Sequence, residues 1–237
     1  AADLQAWTAG EVTVSVSAKD AWGNTVAAEH PIELDLNAVA VTIDTVSGDD
    51  LMNAAEKGAD LTLSGQTQGV EAGQTVVVKF ADQTFTAQVQ QGGVWSVNVP
   101  GSDLTALADS GYTVQVSVSD AAGNPGSAGK TITLDATPPT VSFNVVAGDD
   151  VINSVEHGQA QIVSGSATGA NVGDKVVITL GSHQYTTTVD ASGNWSVGVP
   201  ASVISALTDG TVTLSATITD SAGNSSTQTH DVVVNTA

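Results

Sequence analysis

The chain repeats itself every hundred residues, and this period constrains its architecture more than any other feature of the sequence. Gly48-Asp49-Asp50 returns as Gly148-Asp149-Asp150, and Asn53, Glu56 and Gly58 return as Asn153, Glu156 and Gly158. Trp95-Ser96-Val97 with Val99-Pro100 returns as Trp195-Ser196-Val197 with Val199-Pro200. Asp120-x-x-Gly123-Asn124 returns as Asp220-x-x-Gly223-Asn224, with no gap needed anywhere. The same offset reaches backwards to Asp20-x-x-Gly23-Asn24 and from Asp135 to Asp35. Solenoid repeats are far shorter, roughly 20–45 residues, whereas about one hundred residues suits a free-standing sandwich domain. The expected organisation is a C-terminal part of a truncated repeat over 1–36, then complete domains over 37–136 and 137–237. The first piece lacks most of a sandwich, so a remnant hairpin held by the next domain is expected there. The sequence opens mid-pattern, which points to a piece of something longer.

Within one repeat, seven segments carry strand signals: 41–46, 60–68, 74–81, 84–90, 94–99, 111–119 and 129–135. Val114, Val116 and Val118 alternate with Gln115 and Ser117, the period of a half-buried strand. Gly, Asn, Asp and Pro clusters between the segments supply turns. Only 102–108 reads as helical, and it is short enough to be a single turn between strands. Seven short strands per hundred residues predict an all-β chain of tandem immunoglobulin-like β-sandwich domains, arranged as an elongated rod. At about 3.3 Å per strand residue each domain would be roughly 40 Å long and the rod about 100 Å.

Composition agrees with this and narrows the function. Hydrophobic residues make up 41% while aromatics are only 4%, so the core must come mainly from Val, Ala, Leu and Ile; the β-branched members of that set favour strands. Asp and Glu number 25 against 5 Lys and no Arg, a formal net charge of −20. Nucleic acid and anionic membrane surfaces both require a basic footprint, so neither is an expected partner. The absence of cysteine removes disulfides, thiolate catalysis and cysteine zinc sites. No stretch has the length and apolarity of a membrane span, and no signal peptide opens the sequence.

A surplus of carboxylates suits calcium, which takes six to eight oxygens from carboxylates, amides, carbonyls and water. Strand parity suggests where the oxygens collect. If seven strands alternate direction, the first loop lies where the chain leaves the domain and the last hairpin lies where it enters. Head-to-tail stacking would bring Asp49, Asp50, Asn53 and Glu56 of one repeat against Asp220 and Asn224 of the next, with Asp135 in the linker. The preceding junction would use Asp35, Asp120 and Asn124. Asp149, Asp150, Asn153 and Glu156 would face a further repeat, and Asp20 and Asn24 form the earliest copy of the hairpin motif. Unneutralised, these acids would repel one another and splay the domains; calcium would turn the repulsion into a clamp. The simpler reading is that Asp-x-x-Gly-Asn is a hairpin turn, because Asp caps its own turn and Gly and Asn tolerate positive φ. Asp190-x-x-Gly193-Asn194 is read as a turn only, since its counterpart begins with Gln90. No EF-hand or calcium-binding nonapeptide pattern is present.

The remaining residues point away from catalysis. Trp95 and Trp195 open strands on an apolar face and are expected in the core. Trp22 stands where other copies carry Ala122 and Ala222, and is expected to pack on a neighbouring domain, with stacking on a sugar ring as the alternative. His30, His157, His183 and His230 are scattered, with neither zinc spacing nor a Ser-His-Asp order, and read as surface residues. Asp49-Asp50 are adjacent in a turn and do not supply the separated acid and base of a glycosidase. No constellation meets the requirements of an active site, and the chain is not expected to be an enzyme.

Together, Gly-Asp-Asp-x-(Ile/Met)-Asn-x-x-Glu, Gly-x-Trp-Ser-Val-x-Val-Pro and Asp-x-x-Gly-Asn resemble bacterial Ig-like repeats of giant non-fimbrial adhesins exported by type I secretion. The resemblance covers essentially the whole chain. It implies an extended rod outside the cell, held stiff by calcium at domain junctions and attached to a host-cell surface receptor, a glycan among the candidates. It also implies neighbouring repeats of the same chain as partners, virulence as the setting, and a monomeric fragment with no membrane insertion. Two alternatives remain: a carbohydrate-binding module built around Trp22, and an accessory region of a secreted polysaccharide-degrading enzyme.

Overall fold

The structure is a computed structural model that describes residues 7–237; the first six residues of the expected 1–36 piece lie outside it. In chain order the strands are β1 (Gly10–Lys19), β2 (Thr25–Leu34), β3 (Ala40–Val41), β4 (Leu51–Met52), β5 (Leu61–Gln68), β6 (Thr75–Phe80), β7 (Gln83–Gln88), β8 (Val94–Val99) and β9 (Ser110–Ser119). They continue as β10 (Pro125–Leu134), β11 (Thr140–Phe143), β12 (Val151–Asn153), β13 (Gln161–Thr168), β14 (Lys175–Leu180), β15 (His183–Thr188), β16 (Asn194–Val199), β17 (Gly210–Thr219) and β18 (Ser225–Asn235). Three single-turn helices, α1 (Ala54–Lys57), α2 (Gly101–Leu104) and α3 (Ala201–Ile204), and a 3-10 turn at Glu156–Gly158 complete the described elements. The chain is all-β, with the sandwich sheets of an immunoglobulin-like fold.

Cα proximity divides the chain into two compact units. The first comprises the chain up to Asp49 with Leu61–Pro100 and Tyr112–Ile132; the second comprises Asp50–Asp60, Gly101–Gly111 and Thr133–Ala237.

The first unit holds the hairpin β1–β2, paired from Gly10↔Leu34 to Lys19↔Thr25. It also holds the three-stranded sheet β3-β5-β8 and the antiparallel strands β6, β7 and β9. Val114, Val116 and Val118 point inward, as their alternation requires. Trp95, expected in the core, is 0% exposed, and its indole Nε1 donates to the Thr42 carbonyl at 3.2 Å. Its register partner is Gly65, where a Cβ would lie 1.9 Å from the Thr42 oxygen and 2.8 Å from the indole nitrogen. Only glycine lets the ring lie across β5.

The second unit repeats this plan with the sheets β11-β13-β16 and β12-β18-β17-β14-β15. Trp195 is 2% exposed, lies edge-on to Phe143 at 5.4 Å, and pairs with Gly165. Val163, Val176, Ile178, Leu214, Ile218 and Val232 fill the core around it.

Most of the expected strands form, with two differences in the first part of each repeat. The segment read as a strand over 41–46 is regular only at Ala40–Val41, and in the next copy at Thr140–Phe143. Positive φ at Ser47 (53°), Gly48 (93°) and Asp50 (66°) then turns the chain, a region that Gly and, less often, Asp and Asn adopt. The loop that follows is not irregular: it contains β4 and α1. β4 lies parallel to the end of β10 through Leu51↔Thr133 and Met52↔Leu134, and β12 repeats this beside β18. Each repeat therefore has a short parallel strand beside its last one. The helical piece expected over 102–108 is observed at Gly101–Leu104, and the strand expected over 129–135 starts earlier, at Pro125.

Candidate functional site

Each Asp-x-x-Gly-Asn segment closes its hairpin in the same way. The N–H of Gly23, Gly123 and Gly223 donates to the carbonyl of Asp20, Asp120 and Asp220 at 3.1, 3.2 and 3.2 Å, with φ of 95°, 95° and 89° at the glycine. One carboxylate oxygen of the Asp accepts from the Asn backbone N–H at 2.9, 2.8 and 2.8 Å. The other accepts from the Asn side-chain Nδ2 at 2.8, 2.8 and 3.0 Å. The Asn24 side chain holds the Asp20 carboxyl below its ordinary range, and the Asn124 side chain does the same for Asp120. At Asp190, read as a turn alone, the carboxylate accepts from Ser192 N and Asn194 N.

The first loops are organised by capping. Asn53 opens α1, its Oδ1 accepting from Ala55 N and Glu56 N at 2.9 and 3.1 Å. The Glu56 carboxylate reaches back to Asn53 N at 2.9 Å, a reciprocal capping box. Asn153 and Glu156 do the same: Oδ1 accepts from Val155 N and Glu156 N, and Glu156 accepts from Asn153 N at 3.1 Å. Asp149 accepts from Val151 N at 3.0 Å. Asp150 adopts φ 63°, and its Oδ1 accepts from Val146 N at 2.8 Å. His230 Nε2 lies 2.7 Å from the same oxygen, its ring stacked on Phe143 at 5.1 Å. Together, the Val146 N–H first and His230 second, these hold the Asp150 carboxyl below its usual range. Asp49 and Asp50 occupy the matching positions in the earlier copy, where the Asp50 carbonyl accepts from Thr133 N at 3.0 Å.

Trp22 is 88% exposed at the tip of the β1–β2 turn, and no segment among the described residues covers it. One expectation requires correction here. His157 and His230, read as plain surface residues, are half-buried and partnered. His157 Nε2 lies 2.9 Å from the Leu207 carbonyl, and His230 pairs with Asp150.

Within the second unit the structure brings Asn53, Asp135, Asp220 and Asn224 together, and amides make the contacts. Asn224 Oδ1 accepts from Ala54 N at 2.8 Å, and its Nδ2 donates to the Asp135 carbonyl at 2.8 Å. Asn53 Nδ2 donates to the Ala222 carbonyl at 3.2 Å. Within the first unit, Asn124 Nδ2 donates to the Asp35 carbonyl at 3.2 Å. The linker carboxylates turn back on their own backbone, Asp35 on Asn37 N at 2.8 Å and Asp135 on Thr137 N at 3.3 Å. Asp20 and Asn24 bond to each other at the exposed turn, and Asp149, Asp150, Asn153 and Glu156 hold their own loop. Sequence reasoning missed the two capping boxes, although Asn-x-x-Glu is itself the readable signal for them. It also missed Asp109, which accepts from Ala136 N at 3.0 Å and from Thr137 Oγ1.

Among the described residues no group of three or more His, Cys, Asp or Glu could hold a metal ion. A calcium ion takes six to eight oxygens, so as arranged these side chains do not fit one. Binding would require carboxylates to converge.

A family profile described as "Bacterial Ig-like domain" matches residues 162–236. Among solved structures, the chain is similar to a 1.5-MDa bacterial ice-binding adhesin studied for host cell surface retention. The two share 33% identity over 100% of this chain and 78% of that one, with a TM-score of 0.53. It is also similar to a Ca2+-stabilized adhesin of an Antarctic bacterium that reaches out and binds ice. There the identity is 36% over 95% of this chain and 57% of that one, with a TM-score of 0.51. No curated protein matches the chain. With the hundred-residue period, the two sandwich plans and these likenesses in agreement, the chain belongs to the bacterial Ig-like repeat domains of large bacterial adhesins.

Proposed function

We propose that this chain is a repeat segment of a large secreted adhesin on a bacterial surface, exported by type I secretion, which extends the protein outward so that it can attach to host cells. The observation that carries this reading is 33% identity to an adhesin along the whole chain. The repeats run over 1–36, 37–136 and 137–237 and form a rod. The chain does no chemistry of its own; its partners are adjacent repeats and a surface receptor.

We further propose that calcium rigidifies the rod at the acid-rich loops and linkers, drawing on Asp49, Asp50, Asp135 and Asp220 and on the matching residues of the other copies. The net charge of −20 supports this, as does the likeness to a Ca2+-stabilized adhesin. Calcium would gather carboxylates that now hold backbone N–H groups, so its binding is a rearrangement and not the filling of a finished site. Small-angle X-ray scattering with calcium and after chelation tests this. A longer maximum dimension and stiffer profile with calcium, at unchanged circular dichroism, is the expected result. Superimposable curves would sink the calcium reading and leave the repeat reading standing.

One observation favours a second reading. Trp22 presents a fully accessible indole, the group on which a sugar ring stacks. If this region recognises glycans, Trp22→Ala abolishes glycan binding without altering the melting temperature. Equal binding by both proteins would reject it.

A further inference from the structure

We infer that one repeat grips the next through an amide clasp that works without metal, with Asn224 as its central residue. The inference rests on the tandem-repeat reading and is independent of calcium. It follows from a count of donors and acceptors within the second unit. A helix leaves its first N–H groups without partners inside the helix. In α1 the Asn53 side chain satisfies Ala55 N and Glu56 N, and the Asn53 carbonyl satisfies Lys57 N. Ala54 N remains, and Asn224 Oδ1 accepts from it at 2.8 Å. The matching turn at Asn153 shows the unclasped state: Val155 N and Glu156 N are satisfied by Asn153 Oδ1, while Ser154 N has no acceptor among the described residues.

The Asn224 side chain engages both of its donors and its oxygen. Its Nδ2 donates to the Asp135 carbonyl at 2.8 Å and to Asp220 Oδ2 at 3.0 Å, while its oxygen takes Ala54 N. One amide thus joins the preceding repeat's helical turn, the linker and its own hairpin, and the residue is 5% exposed. An Asp in this place would offer no donor to Asp135 or Asp220 and would add a third carboxylate beside them. A second strand of the clasp runs the other way, from Asn53 Nδ2 to the Ala222 carbonyl at 3.2 Å. Gly223 lies in the same contact, its Cβ position 3.7 Å from Asn53 Nδ2 at van der Waals distance. The surface that the hairpin recognises is therefore a single helical turn opening with Asn and closed by Glu three residues later. Position 222, which is Trp in the first copy, controls access to it.

Amide hydrogen exchange of the full chain in chelator tests the clasp, because exchange reports the opening of individual hydrogen bonds. Ala54 N–H is expected to exchange at least about tenfold more slowly than Ser154 N–H, and Asn224→Ala should bring it to the Ser154 rate. Asn24→Ala, which alters the same motif where nothing is clasped, should leave Ala54 unchanged. Should Asn224→Ala loosen the hairpin itself, Ala222→Trp blocks the approach and leaves the turn intact. It should free Ala54 while the amides of β17 and β18 stay protected. The inference is overturned if Ala54 in chelator exchanges as fast as Ser154, or if Ala54 stays slow in both Asn224→Ala and Ala222→Trp. Protection of Ala54 that appears only when calcium is added would overturn the metal-independent clasp and leave the calcium reading in place.

Discussion

The hairpins β1–β2 and β17–β18 have the same turn and the same register, two hundred residues apart, yet their surroundings differ completely. Ten pairs run from Gly10↔Leu34 to Lys19↔Thr25 in one and from Gly210↔Val234 to Thr219↔Ser225 in the other. Val14 is 47% exposed, whereas its counterpart Leu214 is 3% exposed. Val16 and Ile32 are likewise accessible where Ala216 and Val232 are buried. Turn chemistry and pairing are therefore written into a stretch of about 25 residues, and burial is a property of the sandwich that covers it. An isolated two-stranded hairpin is marginal in water, so the two copies should differ sharply in what a lost side chain does.

The largest test of this difference is truncation of the inward face. Leu214→Ala should destabilise the chain by about 2–5 kcal/mol, through lost burial and the cavity left behind. Val14→Ala should change stability by less than about 0.5 kcal/mol, as exposed substitutions do. Urea unfolding measures both. A large effect at Val14 would mean that its face is covered in solution, and the contrast between the hairpins would collapse.

The loops provide a smaller comparison. Asn53→Ala and Asn153→Ala each remove a capping side chain, worth about 1 kcal/mol. Asn53→Ala should lose more, because its Nδ2 also donates to the Ala222 carbonyl. Thermal unfolding of the pair resolves the gap. Equal losses would place all of the Asn53 contribution in its cap.

Acidity separates local from tertiary control of the turn. The Asp20 and Asp120 carboxyls are both held low chiefly by the neighbouring Asn side chain, although only Asp120 is buried. A carboxyl with a lowered folded pKa contributes its full stability above the unfolded value of about 3.9 and loses it as pH falls through the folded value. Both should therefore titrate below about 3.9 by NMR, and stability should drop on acidification below that point, with neutral pH unaffected. An ordinary titration at Asp20 alone would show that the turn needs its sandwich. The smallest expected effect is that of Trp22→Ala on stability, within about 0.5 kcal/mol, read as an unchanged urea midpoint.

Much of this was legible in the sequence, and the parts that were not share a physical cause. β5, β8 and β9 match their alternating patterns closely, and Trp95 and Trp195 lie in the core as their apolar neighbours required. β4 escaped because Leu51-Met52 is too short to show any period, and its pairing with β10 joins residues some eighty positions apart. The site was half visible. Strand parity placed Asp49, Asp50, Asn53, Glu56, Asp135, Asp220 and Asn224 in one neighbourhood, and in the second unit hydrogen bonds link the segments of Asn53, Asp135, Asp220 and Asn224. Which atoms would meet was hidden, because each of Asp220, Asn53 and Glu56 first satisfies backbone donors within four residues of itself. Composition counts carboxylates but does not show how many are already engaged.

The parallel strand β4 takes on another meaning when the chain is pulled. The Asp50 and Met52 carbonyls accept from Thr133 N and Asp135 N at 3.0 and 2.9 Å. Tension entering through Asp135 runs along β10, across those bonds, so they are loaded together and do not peel apart one at a time. The last strand of the repeat is flanked by β9 on one side and β4 on the other. β12 grips β18 in the same manner, with Val233 N donating to the Asp150 carbonyl at 2.9 Å. Two residues of parallel strand thus place a mechanical latch on the last strand of each repeat.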